Sequence, residues 1–291
     1  MPKHKESVNS RSNPPGRRSL LAAALLASLL MFPTNHASAQ NVPVRISMAQ
    51  IFCLDGDRLG NLARIEQAVA EAKSQGADIV VFPESSIFGW ENPVAHERAS
   101  PIPGRDSDAL CALAKKHGVY LCVGLDEKDG EQLFDSCILI DDAGKILLKH
   151  RKVSVLPHLM TPPYSEGDGS LHVADTKFGR IGVLICADTF RSELLAGMAK
   201  LKPDLMLVPY GWAADEDEWP QHGDSLTEVV QKVARTVNCT VIGTDLVGAM
   251  TSGPWAGKTY GGQSVAAAPD GTILAKGRDR DRDIVMVAVP L

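Results

Sequence analysis

Apolar residues along this chain fall into two rhythms, short Val/Ile/Leu-rich runs and longer stretches with a single apolar face. Their alternation predicts strands interleaved with helices. Residues 44–51 alternate well enough for a first strand. Leu59, Leu62, Ile65, Val69 and Ala72 then mark one face of a helix that Gly76 ends. Strands are predicted at 78–82 and 120–124, around a helix over 107–116 that stops at Gly118. Residues 134–140 and 145–148 read as a hairpin turning at Asp141-Asp142-Ala143-Gly144. The second half keeps the rhythm, with strands at 171–174, 181–186, 205–208 and 240–244 and helices over 194–201 and 226–237. Strands at 263–268, 272–275 and 284–289 close the chain. No repeat of 20–50 residues and no linker-like break interrupts the pattern. Strands interleaved with helices, with a hairpin in each half, predict an α/β fold of two helix-covered sheets.

The first 39 residues do not share this pattern. Arg17-Arg18 precede an apolar stretch from Leu20 to Phe32, and Ala37-Ser38-Ala39 forms a small-residue cleavage pattern. The stretch is shorter than the about 20 apolar residues a spanning helix needs. The expectation is a cleaved secretory signal peptide at 1–39, export to the periplasm or medium, and a mature domain at 40–291. The paired arginines also permit a twin-arginine route. Nothing in the remainder approaches membrane-spanning length, so no stable span is expected after processing.

A domain of that length buries a large core. A formal net charge of −5 without long basic runs excludes nucleic acid as the expected partner. The six cysteines (53, 111, 122, 137, 186 and 239) mostly lie in or beside apolar segments and read as small hydrophobes. A single disulfide stays open. No C-x-x-C or H-E-x-x-H spacing occurs, so no metal site is expected.

Three strand ends carry chemistry. Ile79-Val80-Val81-Phe82-Pro83 leads to Glu84, Ile146-Leu147-Leu148-Lys149-His150-Arg151 leads to Lys152, and Gly182-Val183-Leu184-Ile185 leads to Cys186. A rigid sheet that presents a carboxylate, an ammonium and a thiol where its strands stop makes a set for covalent catalysis. Taken singly, Cys186 reads as an inert buried thiol, Glu84 as an ordinary polar residue after a strand, and Lys152 as a surface lysine. The ordered trio shifts the balance to function.

Val81-Phe82-Pro83-Glu84, His150-Arg151-Lys152-Val153 and Gly182-Val183-Leu184-Ile185-Cys186-Ala187-Asp188, in this order, resemble the carbon–nitrogen hydrolase (nitrilase-like) superfamily. Asp204-Leu205-Met206-Leu207-Val208-Pro209 and Gly261-Gly262-Gln263-Ser264 support the resemblance, which covers nearly all of residues 40–291. It implies a four-layer α-β-β-α sandwich, assembly into a homodimer or higher homo-oligomer, and a hydrolase with no cofactor. It also implies Cys186 as nucleophile, Glu84 as base and Lys152 as the oxyanion-holding cation, aided by the backbone N–H of Ala187.

Two positions depart from the family pattern. Many members carry a further glutamate between the lysine and the cysteine. Here that stretch offers Glu166, Asp168 and Asp175, none at the usual spacing, and Met160 or Thr161 sits nearer the expected place. Glu166 is the next candidate acid. Asp135 stands where asparagine is common, and nothing in the sequence accounts for it.

Asp188 and Trp212 are candidate pocket residues, although Asp188 could equally pair with Arg191 or cap the next helix. His158 and His222 offer a Cys–His protease as a third reading, without the local context that reading needs. The expected substrate is a small linear amide, with amidase, N-carbamoyl hydrolase and nitrilase all open. The nitrilase branch typically follows its cysteine with Trp-Glu-Asn, whereas this chain has Ala187-Asp188-Thr189, closer to amide-cleaving relatives. A non-catalytic periplasmic binding protein is the reading from a different class.

Overall fold

The computed structural model describes residues 43–291. The expected signal peptide lies outside the described residues. The first half runs β1 (Val44–Gln50), α1 (Arg58–Ser74), β2 (Ile79–Val81), α2 (Ala95–Arg98), α3 (Arg105–His117), β3 (Tyr120–Asp129), β4 (Gln132–Ile140) and β5 (Ile146–Arg151). The second half runs β6 (Val173–Thr176), β7 (Gly179–Val183), α4 (Ser192–Leu201), β8 (Leu205–Pro209), β9 (Ala213–Ala214), α5 (His222–Val237) and β10 (Thr240–Thr244). It ends with β11 (Val247–Ala249), β12 (Thr259–Gly261), β13 (Val265–Ala267), β14 (Ile273–Lys276) and β15 (Asp283–Val289).

Two sheets have six strands each, in the orders β15-β1-β2-β3-β4-β5 and β14-β13-β10-β8-β7-β6. In each, three parallel strands form the centre and antiparallel strands the flanks. Parallel centres are buried on both faces, which is why these strands read as short unbroken apolar runs. One core cluster joins Ile46, Met48 and Val81 of the first sheet to Ile181, Val183 and Leu207 of the second, and continues into Val230 and Val233 of α5. A second places Ile65 and Val69 of α1 and Leu110 of α3 against Val80, Leu121 and Ile138. The layers are therefore helix, sheet, sheet, helix, as expected. Each fully buried aliphatic side chain contributes about 1.5–3 kcal/mol, so the facing cores hold the strand ends in fixed relation.

The structure corrects several element readings. Leu59, expected on the buried face of this helix, is 75% exposed in the first turn of α1, which starts at Arg58. Strand β3 continues past the expected 120–124 to Asp129, through Asp126 and Glu127. Pairing with β4 carries the ladder on, and Arg151 and Lys149 neutralise Glu127. Strand β7 ends at Val183, so Cys186 lies beyond it, on a 3-10 turn (Cys186–Phe190). A small sheet of β11, β12 and β9 was not expected, since strands of two or three residues leave no period to read.

Among the described residues, no helix is long and apolar enough to cross a membrane. No group of His, Cys, Asp or Glu there could hold a metal ion. All six cysteines are free, with the sulfurs of Cys122 and Cys137 3.4 Å apart.

Candidate active site

Glu84 is fixed by contacts from both sheets. Its segment is clamped on β3, where the Gly124 N–H donates to the Pro83 carbonyl (3.2 Å) and the Ser86 N–H to the Gly124 carbonyl (2.9 Å). A Cβ at Gly124 would come within 2.6 Å of the Glu84 Cα, so only glycine allows this approach. From the other sheet, the Tyr210 carbonyl at the end of β8 accepts the Glu84 N–H at 3.3 Å.

Lys152 follows β5. Its N–H donates to the Asp135 carbonyl on β4 (2.8 Å), and its own carbonyl accepts the Gly167 N–H (2.8 Å). Its ammonium is 1% exposed and donates to Glu84 Oε1 and to Asp135 Oδ2, the latter at 3.2 Å. The Trp90 ring lies 5.1 Å away, near enough for a cation–π contact.

Cys186 adopts φ +38°, a left-handed conformation rare for a non-glycine residue. The turn is held by Thr189 Oγ1 donating to the Cys186 carbonyl (2.6 Å) and by the Asp188 N–H donating to the Ile185 carbonyl (2.9 Å). Strain maintained by surrounding contacts is common where a side chain must face a reaction site.

Asp188 ties two of these segments together. Its Oδ1 accepts the N–H groups of Val153 and Ser154 (3.0 and 2.8 Å), just past Lys152. Its Oδ2 meets His150 Nε2 at 2.8 Å and accepts the Ile185 N–H at 3.2 Å, just before Cys186. Burial opposes its charge, but His150 and these N–H groups hold the carboxyl below its usual range. The alternative pairing with Arg191 is not seen, since Arg191 binds Glu193 at the surface.

The thiol opens on a cavity of about 210 Å³, walled by Trp90, Leu156, Phe190, Trp212, Ala213 and Trp255 together with Ala187, Gly211 and His222. Burial, then the nearby Glu84, pushes the Cys186 thiol well up, while Lys152 and a hydrogen bond to the Gly211 backbone pull the other way. The resting sulfur is thus a protonated thiol and needs a base at the moment it attacks. Burial works against the Lys152 ammonium, yet Glu84 and Asp135 hold its pKa well above the ordinary lysine value. A Cβ at Gly211 would meet Glu84 Oε2 at 2.9 Å, so glycine there keeps the carboxylate free to reach the sulfur.

Of the residues expected from the sequence, Glu84, Lys152 and Cys186 converge, and Ala187 and Trp212 line the cavity. Asp188 is buried behind them as a tie. Glu166 does not join them. It is exposed and borders a separate recess with Phe134, Arg151 and Asp168. The loop between Lys152 and β6 instead turns Leu159, Met160 and Tyr164 inward, so the place expected for a further glutamate is filled by apolar side chains. His158 is exposed, and His222 packs edge-on to Trp219 and beside Trp212, ring centroids 5.1 and 5.7 Å apart.

Three buried acids were missed. Glu91, φ +57°, has an unpartnered Oε2, and burial raises it to about 8 although Lys152 opposes this. Asp126 is likewise raised to about 8 by burial, against the hydrogen bond it accepts from Tyr164 (2.6 Å). Asp245 accepts the Trp212 N–H at 2.7 Å and so sets the cavity wall. Asp245 directly follows the end of β10, and that position was the available signal; Glu91 lies in the loop between β2 and α2, which carried none.

Comparisons with known proteins bear on the family and the fold. The model of the carbon–nitrogen hydrolase family matches residues 44–291. A bifunctional nitrilase/nitrile hydratase of Nicotiana tabacum is 35% identical over 198 residues, 60% of this chain and 55% of its own length. An omega-amidase of Danio rerio is 34% identical over 157 residues, 51% of this chain and 57% of that one. The chain thus spans little more than half the length of the curated relatives it matches. Among solved structures, an amidase from Nesterenkonia sp. superposes with a TM-score of 0.74 at 23% identity, covering 86% of this chain and 92% of that one, a likeness of fold.

Proposed function

Since this chain belongs to the carbon–nitrogen hydrolase family, we propose that it hydrolyses the C–N bond of a small, apolar linear amide through a thioester on Cys186. The observation that carries this reading is the convergence of a buried thiol, carboxylate and ammonium at one end of an apolar cavity.

The sulfur attacks the amide carbon as Glu84 takes the thiol proton, and the carbonyl π pair moves onto oxygen. Lys152 and the Ala187 N–H hold that oxyanion. When the oxyanion collapses, the C–N bond breaks and Glu84 returns its proton to the leaving nitrogen, releasing ammonia and leaving the thioester. Water then gives a proton to Glu84 as its oxygen attacks the thioester carbon. The C–S bond breaks, the sulfur regains the proton, and the carboxylic acid leaves.

Aromatic and aliphatic walls favour an apolar acyl group. Within the cavity lining, burial keeps His222 below its ordinary pKa, and no lysine or arginine is present to pair with a substrate carboxylate. Nitrile hydrolysis is the second reading, since the relatives above include a nitrilase/nitrile hydratase. A nitrile first forms a thioimidate, which must be hydrated and lose ammonia to reach the same thioester. An amide reaches the tetrahedral intermediate directly.

The test compares kcat/KM for an aliphatic amide, its matching nitrile, an N-carbamoyl analogue and the same amide with a terminal carboxylate. The unmodified amide is expected to be the best substrate. A clear nitrile or carbamoyl preference would overturn the choice of bond, and a preference for the acidic amide would overturn the pocket reading. Absence of turnover on all four would favour a binding protein.

Export belongs to the same proposal. Protein recovered from its native host should begin at Gln40 by mass spectrometry, and an intact leader on cytoplasmic protein would refute export. A mass above the monomer in light scattering is the corresponding expectation for homo-oligomeric assembly.

A further inference from the structure

We infer that Asp135 is a positioning residue that carries a proton between Glu84 and Lys152, leaving one carboxylate to balance the one ammonium of the site. This rests on the hydrolytic reading above. Asp135 lies on β4 and is fully buried. Its carbonyl accepts the Lys152 N–H (2.8 Å) and its Oδ2 accepts from the ammonium (3.2 Å). Its Oδ1 has no partner among the described residues, and neither has Oε2 of Glu84. Two buried acids sharing one cation, each with an orphaned oxygen, carry one negative charge too many for a buried site. Like charges in one site are relieved when one acid keeps its proton.

Asp135 is the acid to do so. Burial, then the charge and hydrogen bond of Glu84, push it well up, and only Lys152 opposes them. The other titratable groups around it are Glu91 and Asp126, Tyr164, and Cys137 on its own strand. None is a cation, so deprotonation of any of them strengthens the hold on the proton.

A neutral carboxylic acid offers one O–H donor and one carbonyl acceptor, the hydrogen-bonding pattern an asparagine amide offers in the same shape. Asp135 therefore occupies an asparagine-like place while protonated, donating toward Glu84 and accepting from Lys152. Loss of the proton at alkaline pH would place a second negative charge beside the oxyanion and the attacking thiol, and slow acylation.

The test is the pH profile of Asp135→Asn and Asp135→Ala beside the parent protein. Asp135→Asn should keep near-parental kcat at neutral pH. Its alkaline limb should move up by at least about one unit, a tenfold change in proton affinity. Asp135→Ala, which leaves Lys152 misplaced, should lose about 10²-fold in kcat. In infrared difference spectra at neutral pH, parent minus Asp135→Asn should show the carbonyl band of a protonated carboxylic acid. That readout needs no turnover, so it separates failure of this inference from failure of the substrate reading. The inference is overturned if Asp135→Asn is as inactive as Asp135→Ala, if it keeps the parental alkaline limb, if the band is missing, or if the amide variant does not fold.

Discussion

Cys186→Ala should abolish hydrolysis of every substrate the parent accepts and leave the fold intact. The sulfur is the one nucleophile in the cavity that lies within reach of both a buried carboxylate and a buried ammonium. Without it, neither half of the reaction has a covalent partner. The fold should survive because alanine is smaller and removes no hydrogen bond that holds the turn. Those bonds run through the Cys186 carbonyl and the Asp188 backbone and side chain. Alanine does share the penalty for positive φ, so a stability change of at most about 1–2 kcal/mol is expected. Circular dichroism and denaturant melts check the fold, and ammonia release checks activity. Retained turnover in a folded variant would remove Cys186 from the mechanism.

Lys152→Ala is expected to show the second largest effect, on two measurements at once. Losing one oxyanion donor lowers the acylation rate by about 10²–10³-fold. It also leaves Glu84 and Asp135, both fully buried, facing one another without their cation. Breaking a buried pair in this way costs on the order of 3–5 kcal/mol. Glu84→Gln provides the contrast. It should cripple both half-reactions, since neither proton transfer can proceed, while the ammonium keeps Asp135 as a partner and stability falls much less. Urea melts with single-turnover acylation separate the two variants. A Lys152→Ala protein as stable as its parent would contradict the charge arrangement described here.

The layered fold was legible because parallel strands buried on both faces leave short apolar runs, and each run ends where the chain must turn. Glu84, Lys152 and Cys186 were found by that logic, since all three follow such runs. The strained turn at Cys186 was not visible, because nothing in the local sequence marks a positive φ at a cysteine. Glu166 drew attention as the nearest carboxylate in sequence. Its loop is instead pinned by the buried Leu159, Met160 and Tyr164, which turn Glu166 to solvent. Asp135 stood out as a departure but acquired a reason only when β4 and β5 paired and brought it onto the Lys152 ammonium. The role of Asp188 was hidden similarly, because its partners lie more than 30 positions away in sequence. Long-range hydrogen bonds to buried acids leave no periodic trace, whereas burial of strands does.

The central claim is that the acyl group passes through Cys186. Rapid acid quenching during steady turnover of an aliphatic amide, followed by peptide mass spectrometry, tests it most directly. The account predicts one acyl group on the peptide that contains Cys186, absent from Cys186→Ala. Steady turnover with an acyl group on any other residue would contradict it.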